Sequence, residues 1–422
     1  MERPLMLLGG ASPAPGRDCL DQAQARGLPV WLADTAANLA AVPDLTARAA
    51  GVTELPYSDP AACAAWAAAQ GAGHDFAGVY GFRELAMESV AAVAGVLGLP
   101  GTPLPVIRLL RDKAACRQAL RERGFRQPAS ALCVTATQVA AFIAATPPGP
   151  WVIKPPAAQG SVGISLVHGP AEVGAAITHL VSSYGDFARD MSLPHQADPA
   201  GAFLAEEFQR GTEYSVEGVC VGGTARVLAI TEKITTGAPH FVEVGHSMPA
   251  ELGAAAQHAV TDAVSAALRA LRVGWGVFHV ECWLDGGDVV LGELHNRPGG
   301  DHIHTMVQHV TGVELHGVVF DQMLGRPVHA GPWRPSRGAA MHFLTPPPGR
   351  VTAVEGWDRV RADPRLITAY CGLAAGDVVG PVASYLDRSG YVVATGPTRQ
   401  AAAACVRELC ASVAVGVEQV TA

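Results

Sequence analysis

Eight consecutive residues, Glu293-Leu294-His295-Asn296-Arg297-Pro298-Gly299-Gly300, carry a carboxylate, an imidazole, a guanidinium and two bare backbone amides, and Glu281 stands a short way upstream. Such a set suits a metal–nucleotide site. Residues 276–284 alternate so that Phe278, Val280, Cys282 and Leu284 share one apolar face, which puts Glu281 on the other. In residues 289–295, Val290, Gly292 and Leu294 alternate against Glu293 and His295. A two-residue loop at Gly286-Gly287 would pair Val280 with Glu293 and mix the faces. A three-residue loop over residues 286–288 places Glu281 opposite Glu293, and that register is expected. Bare carboxylates so close repel, and a hard cation between them removes the penalty. The rival reading is a solvated strand face.

Other segments set charge at the ends of apolar runs. Trp151-Val-Ile-Lys154-Pro155 reads as a buried strand closing on a lysine, beside Ala157-Ala-Gln-Gly160-Ser161-Val-Gly163. The glycines let backbone amides approach a ligand that a Cβ would block, and the lysine supplies a point charge for phosphate oxygens. The lysine precedes the loop, so this is not the P-loop spacing, and the rival is an ordinary turn with a snorkelling lysine. Lys113, after Asp112 at a helix start, is weaker taken alone. Leu204-Ala-Glu206-Glu207-Phe208 and Gly211-Thr-Glu213 read as strand, turn, strand. A strand end with free amide and carbonyl groups can pair with an adenine edge, and a carboxylate beyond it can hold ribose hydroxyls. By spacing alone, these would be surface hairpin charges. Lys233 closes another strand, and Glu243 and His246 are expected near the same mouth. Histidines crowd residues 295–316, but no cysteine or second histidine pair has zinc-ligand spacing, so most are expected on helix surfaces or in loops.

The elements that must position these residues follow from pattern and composition. The chain has 422 residues, enough for two to three domains; 49% are hydrophobic and 16% charged. A formal charge of −8 gives no field for nucleic acid or an anionic membrane, so a polyanion would be held only by local cations and amides. The nine cysteines form no CxxC pair, and neither an export signal nor a membrane span is evident, so a reducing cytoplasmic setting is expected. Residues 1–104 alternate strand and helix: strands at 5–8, 30–33 and 77–80, helices near 18–26 and 84–97. That rhythm implies a small parallel sheet. The Gly9-Gly10 turn lacks the G-x-G-x-x-G spacing and reads as a plain strand-to-helix turn. Helices are expected across 105–123, then strands near 151–154, 163–167, 203–208, 213–221, 224–232 and 240–247. A helix at 254–271 leads into the hairpin. Residues 185–201 read as a mobile loop and 329–337 as a Pro-rich linker. Strands at 339–344 and 391–395 and a helix at 399–413 close the chain.

In this order the pieces resemble an ATP-grasp carboxylate–amine ligase, similar to the bacterial L-amino acid ligases that make dipeptides. The resemblance runs through Asp112-Lys113, Val-Ile-Lys154-Pro, the loop 159–163, Glu206-Glu207-Phe208, Gly211-x-Glu213-x-Ser-Val-Glu217 and Thr231-Glu-Lys233. It continues through Phe241-Val-Glu243-x-Gly-His246-x-x-Pro249, Val-Glu281, Glu293-x-His295-x-Arg297-x-Gly299-Gly300, and a tail around Arg388-Ser-Gly-Tyr-Val. Each motif is modest; the ordered set is specific and spans nearly the whole chain. It implies an α/β and α+β multidomain ATP-grasp fold. An N-terminal Rossmann-like parallel-sheet domain would span 1–104, an ATP-grasp domain 105–330 with a lid lobe near 128–206, and a C-terminal lobe 338–422.

The resemblance also implies roles. Lys113 and Lys154 would contact ATP phosphates under a loop carrying Gly160, Ser161 and Gly163; residues 206–208 would bind adenine and Glu213 the ribose. Glu281, Glu293 and His295 would hold two Mg2+ ions, with Mn2+ as a substitute. The family's usual residue at the third position is Asn, and imidazole is a softer ligand, so His295 would ligate, bond a carboxylate, or leave the duty to Asn296. Lys233 would reach the terminal phosphate. Arg297, Gly299 and Gly300 would grip the substrate carboxylate or its acyl phosphate, and Glu243 and His246 would face an amino group. Asp301 would either meet a cationic group on a substrate or cap the helix that follows, and capping is the expected role. The implied reaction joins a carboxylate and an amine, both amino acids or similar, through an acyl phosphate with release of ADP and phosphate. Rivals are a biotin- or purine-pathway type carboxylase and a nucleotide-binding regulator without turnover. Partners are small molecules, and a homodimer is a family expectation only.

Overall fold

The computed structural model of the chain describes residues 3–70, 73–157, 160–190, 201–328 and 334–419. Leu5–Leu8, Val30–Asp34 and Gly78–Tyr80 form the expected parallel sheet, with a fourth strand, Gly51–Glu54, on its edge. The fourth escaped sequence reading because its residues are half-buried or exposed and give little apolar signal. All four residues of Leu5–Leu8 are buried, as a strand with parallel neighbours on both sides requires. Fully buried Asp34 accepts hydrogen bonds from the backbone of Ala11 and Thr35 and from Asn38, which ties the turn after the first strand to the second.

An eight-stranded antiparallel sheet carries most of the site. Its order is Asp288–His295, Gly276–Asp285, Thr212–Val221, Thr224–Thr235, Glu243–Met248, Gly338–Leu344, Gly390–Gly396 and Leu366–Cys371. The C-terminal strands thus extend the same sheet as the hairpin. A separate four-stranded antiparallel sheet, Ser130–Cys133, Phe203–Glu207, Trp151–Lys154 and Ser165–Val167, stands over it, backed by helices Ala136–Ala145 and Val173–Asp190. A small three-stranded sheet near the C-terminus completes the chain.

Several expectations change. Residues 185–190 continue a helix rather than opening a loop, because Tyr184 and Phe187 bury against Val162 and Tyr385. Residues 191–200 of the expected loop, 329–333 of the expected linker and 158–159 of the glycine loop lie outside the described residues. Helix Ile303–Thr311 is the one expected after Asp301, whereas Leu315–Met323 was not foreseen. They matter, since Met306, Val310, Val319 and Phe320 share one core cluster with Leu5 and Leu7 of the parallel sheet and Val219 and Met341 of the large sheet. No helix among the described residues is long and apolar enough to cross a membrane.

Candidate active site

The hairpin's register is a compromise between the two the sequence offers. At the turn, Asp285 pairs with Asp288 across a two-residue Gly286-Gly287 loop; at the other end, Val280 pairs with Leu294 and His279 with His295. The shift falls between Val280 and Cys282, so Gly292 and Glu293 together oppose Glu281 in a bulge. The expected three-residue loop is therefore wrong at the turn, yet its register holds where the carboxylates lie. The bulge also corrects the apolar face: Leu291, not Val290, joins Leu294 beside Phe278, Val280 and Cys282. A Cβ at Gly292 would come within 2.8 Å of the Trp283 ring and 3.0 Å of the Glu281 carbonyl oxygen, which is why glycine fits there.

Glu281 and Glu293 face one cavity of about 750 Å³ between the sheets. Of the site residues singled out by sequence, all but Gly163, His246 and the alternative ligand Asn296 line it. Lys113 Nζ lies 3.0 Å from Glu293, and Lys154 Nζ lies 3.7 Å from Glu293 and 2.8 Å from Glu206. Glu206, buried, also meets the buried Arg117 guanidinium through two nitrogens. Burial pushes the Glu206 carboxyl up in pKa, but Arg117 and then Lys154 outweigh it and hold it below the usual range. Its side chain therefore orients the lysine. The backbone amides of Glu207 and Phe208 donate to the carbonyls of Ala129 and Pro150, so these two donors are already paired. What the segment offers the cavity is an aromatic wall: Phe208 and Phe241 stack with centroids 5.6 Å apart.

Lys233, expected to reach the terminal phosphate, is held by three carboxylates. Its ammonium sits 2.9 Å from Glu213, 2.5 Å from Glu243 and 2.6 Å from Glu281, with the side chain 2% exposed. Burial lowers its pKa, but Glu213, Glu243 and Glu281 outweigh that and raise it well above the ordinary lysine value. Burial raises the Glu281 carboxyl; Lys233, then His279, overcome this and hold it well below the usual range. Those three glutamates could together hold an ion, and Lys233 is the cation at their centre. Behind them His279 bonds buried Glu217 at 3.0 Å; despite burial, Glu217 and then Glu281 push the imidazole up to about 9.

Glu84, which sequence reasoning passed over, organises the Arg297 side. It accepts from Arg297 Nε at 2.5 Å, lies 3.1 Å from His295 Nδ1 and 3.3 Å from Arg111. Burial raises its carboxyl, but Arg297, then His295 and Arg111, hold it well below the usual range. With Nδ1 on Glu84 and Nε2 3.6 Å from Glu293, His295 bridges two carboxylates. Asn296 turns away, donating from Nδ2 to the carbonyls of Trp275 and Val277, and does not line the cavity.

Two further expectations fail. Asp301 is no cap: His302, at φ +55°, occupies that position, while the Asp301 carboxylate takes two bonds from Arg388, at 2.8 and 3.0 Å. His246 lies behind Asp301, bonded at 3.0 Å and 1% exposed, and does not reach the cavity. Arg388 stands 3.7 Å over the Phe343 ring and itself lines the cavity. The glycine loop is docked on the same C-terminal region: Tyr385 N donates to Gly160 O at 3.1 Å, and a Cβ at Gly160 would meet the Tyr385 ring at 2.3 Å. Gly163 packs on Leu180 instead of lining the cavity. Nothing in the spacing of Arg117 and Glu84 pointed to their partners.

Two family models match the chain: an ATP-grasp domain over residues 148–306 and the L-amino acid ligase C-terminal domain 2 over residues 342–418. The chain carries an ATP-grasp domain. It resembles an uncharacterized Sinorhizobium fredii protein, 28% identical over 79% of this chain and 66% of that one. It also resembles carnosine synthase 1 of Gallus gallus, 30% identical over 59% of this chain but only 27% of the relative. The chain thus spans under two thirds of each of these relatives. The crystal structure of the L-amino acid ligase from Bacillus licheniformis superposes with a TM-score of 0.79, at 21% identity and 99% coverage of both chains. At that identity the likeness establishes the ATP-grasp fold, with its parallel N-terminal sheet and antiparallel C-terminal lobe.

Proposed function

We propose that this ATP-grasp protein is an ADP-forming carboxylate–amine ligase that joins two amino acids or similar substrates. The observation that carries this is the convergence of Glu281 and Glu293 with Lys113, Lys154 and Arg297 on one cavity. A carboxylate resists amines, so its oxygen attacks the γ-phosphorus of ATP, ADP leaves, and an acyl phosphate forms. The amine nitrogen then attacks the acyl carbon, phosphate leaves and the nitrogen loses a proton. The L-amino acid ligase C-terminal domain supports amino acid substrates over other carboxylates.

In this reading Lys113 and Lys154 leave Glu293 to take phosphate oxygens, and Phe208 and Phe241 flank the base. Arg297, oriented by Glu84, and the amides of Gly299 and Gly300 grip the carboxylate being activated. Lys233 holds Glu213 and Glu243 in place, and Glu243 faces the amine. Glu281 and Glu293 are hard oxygen donors facing one cavity, which fits Mg2+ or Mn2+. Such ions would supply charge neutralisation on phosphate oxygens. His295 orients Glu293. Residues 160–163, docked on Tyr385, exclude water from the acyl phosphate.

The test is inorganic phosphate release from ATP across amino acid pairs, with product masses. Release coupled to a product of summed mass less one water supports the reading. Release that instead needs bicarbonate, with labelled carbon entering the product, overturns it in favour of carboxylation; no release with any pair also overturns it.

A further inference from the structure

Histidine spacing alone offered no zinc site, but the fold brings a third ligand from the N-terminal domain. We propose that Asp18, His304 and His316 form a transition-ion site, best suited to Zn2+, separate from the Glu281–Glu293 carboxylates. Asp18 lies on helix Pro15–Ala25, His304 opens helix Ile303–Thr311, and His316 opens helix Leu315–Met323. One ligand atom from each lies within 4.8 Å of the others. The Nε2 atoms of His304 and His316 are 3.5 and 3.7 Å from Asp18 Oδ2. Four-coordinate zinc with bonds of about 2.0–2.1 Å sets neighbouring ligand atoms roughly 3.4 Å apart, so small side-chain rotations close the site.

The independent observation is that the inward atoms are unspent while the outward ones are held. Asp18 Oδ2 and His316 Nε2 are buried without a hydrogen-bond partner, and His316 is 1% exposed. By contrast, Tyr80 Oη lies 2.7 Å from His316 Nδ1, and Gln22 donates to Asp18 Oδ1 at 3.1 Å. Outer hydrogen bonds of this kind orient metal ligands and fix which imidazole nitrogen is free. Two imidazoles and one carboxylate favour zinc over magnesium, and three protein ligands leave a fourth position. His304 and His316 line the same cavity, so that position faces the space a substrate would enter.

The test is calorimetric titration of the full-length, metal-stripped protein with Zn2+, in excess Mg2+ and without nucleotide. Wild type should take up one equivalent. Tyr80→Phe should bind about 10–100-fold more weakly, His304→Ala and Asp18→Asn should bind more weakly still, and Glu281→Gln should keep the wild-type affinity. Co2+ supplies a second readout that does not depend on activity: visible bands of four-coordinate cobalt in wild type, lost in His304→Ala, with folding of each variant checked by circular dichroism. Absence of zinc uptake by wild type, or wild-type affinity in both His304→Ala and Asp18→Asn, overturns the site.

Discussion

At the scale of single residues, the site is governed by which charge answers which. Arg297 and Glu84 form one such pair, so Arg297→Ala should lose on the order of 3 kcal/mol of transition-state stabilisation. Glu84→Gln should lose about tenfold in kcat/KM, close to one charged hydrogen bond. Both are read by phosphate release, and near-normal turnover of Arg297→Ala would refute its role. Lys233→Met leaves the half-buried Glu213, Glu243 and Glu281 together without a cation. We expect about 3–5 kcal/mol lost in urea denaturation, partly recovered by added Mg2+. A midpoint unmoved from wild type would show that the ammonium does not hold these acids together. Asp301 supplies a pH dependence. Burial raises its carboxyl, but His246 and Arg388 hold it well below the usual range. A carboxyl lowered in the folded state gives stability that is full above the unfolded value, near 4, and lost as pH falls toward the folded one. Asp301→Asn should therefore flatten the acid limb of stability below about pH 4, measured by urea midpoints across pH.

At the scale of elements, the bulge decides where Glu281 and Glu293 point. Alternation along residues 276–295 predicted two faces correctly in outline, but period-two reasoning cannot show an extra residue, because a bulge changes the count without changing composition. Gly292 was the available signal. Gly292→Val should cost about 1–3 kcal/mol through crowding of Trp283 and the Glu281 backbone. It should also weaken Mg2+-dependent nucleotide binding in calorimetry. Wild-type values for both would mean the bulge is not what sets the carboxylates. The same lesson holds for helix Val173–Asp190, where Gly185 suggested a break and buried aromatics outweighed it.

At the scale of the whole molecule, the cavity exists because three parts of the chain share packing. Arg83 and Glu84 come from the N-terminal region, the carboxylates from the hairpin, and Tyr385 and Arg388 from the turn before strand Gly390–Gly396. Phe320, fully buried, lies in the cluster that joins the parallel sheet to the large one. Phe320→Ala should cost about 3–5 kcal/mol. Hydrogen exchange should show the amides of Leu5–Leu8 and Thr224–Thr235 losing protection together. Separate unfolding of the N-terminal sheet would mean that this core does not couple the two.

The sequence by itself determined the class of fold and the charged part of the cavity lining, because charged strand ends are local properties of the chain and their order resembles a known family. It reached Glu281, Glu293, Lys113, Lys154 and Arg297 in this way. Only the tertiary structure decided which of these charges are already answered: Lys233 by three glutamates, Glu206 by Arg117, Asp301 by Arg388. Those partners lie far apart along the chain, and Coulombic pairing depends on distance through space, which no spacing along a sequence records. The grouping of Asp18 with His304 and His316 is of the same kind. It arises from three helices packing at one end of a shared core.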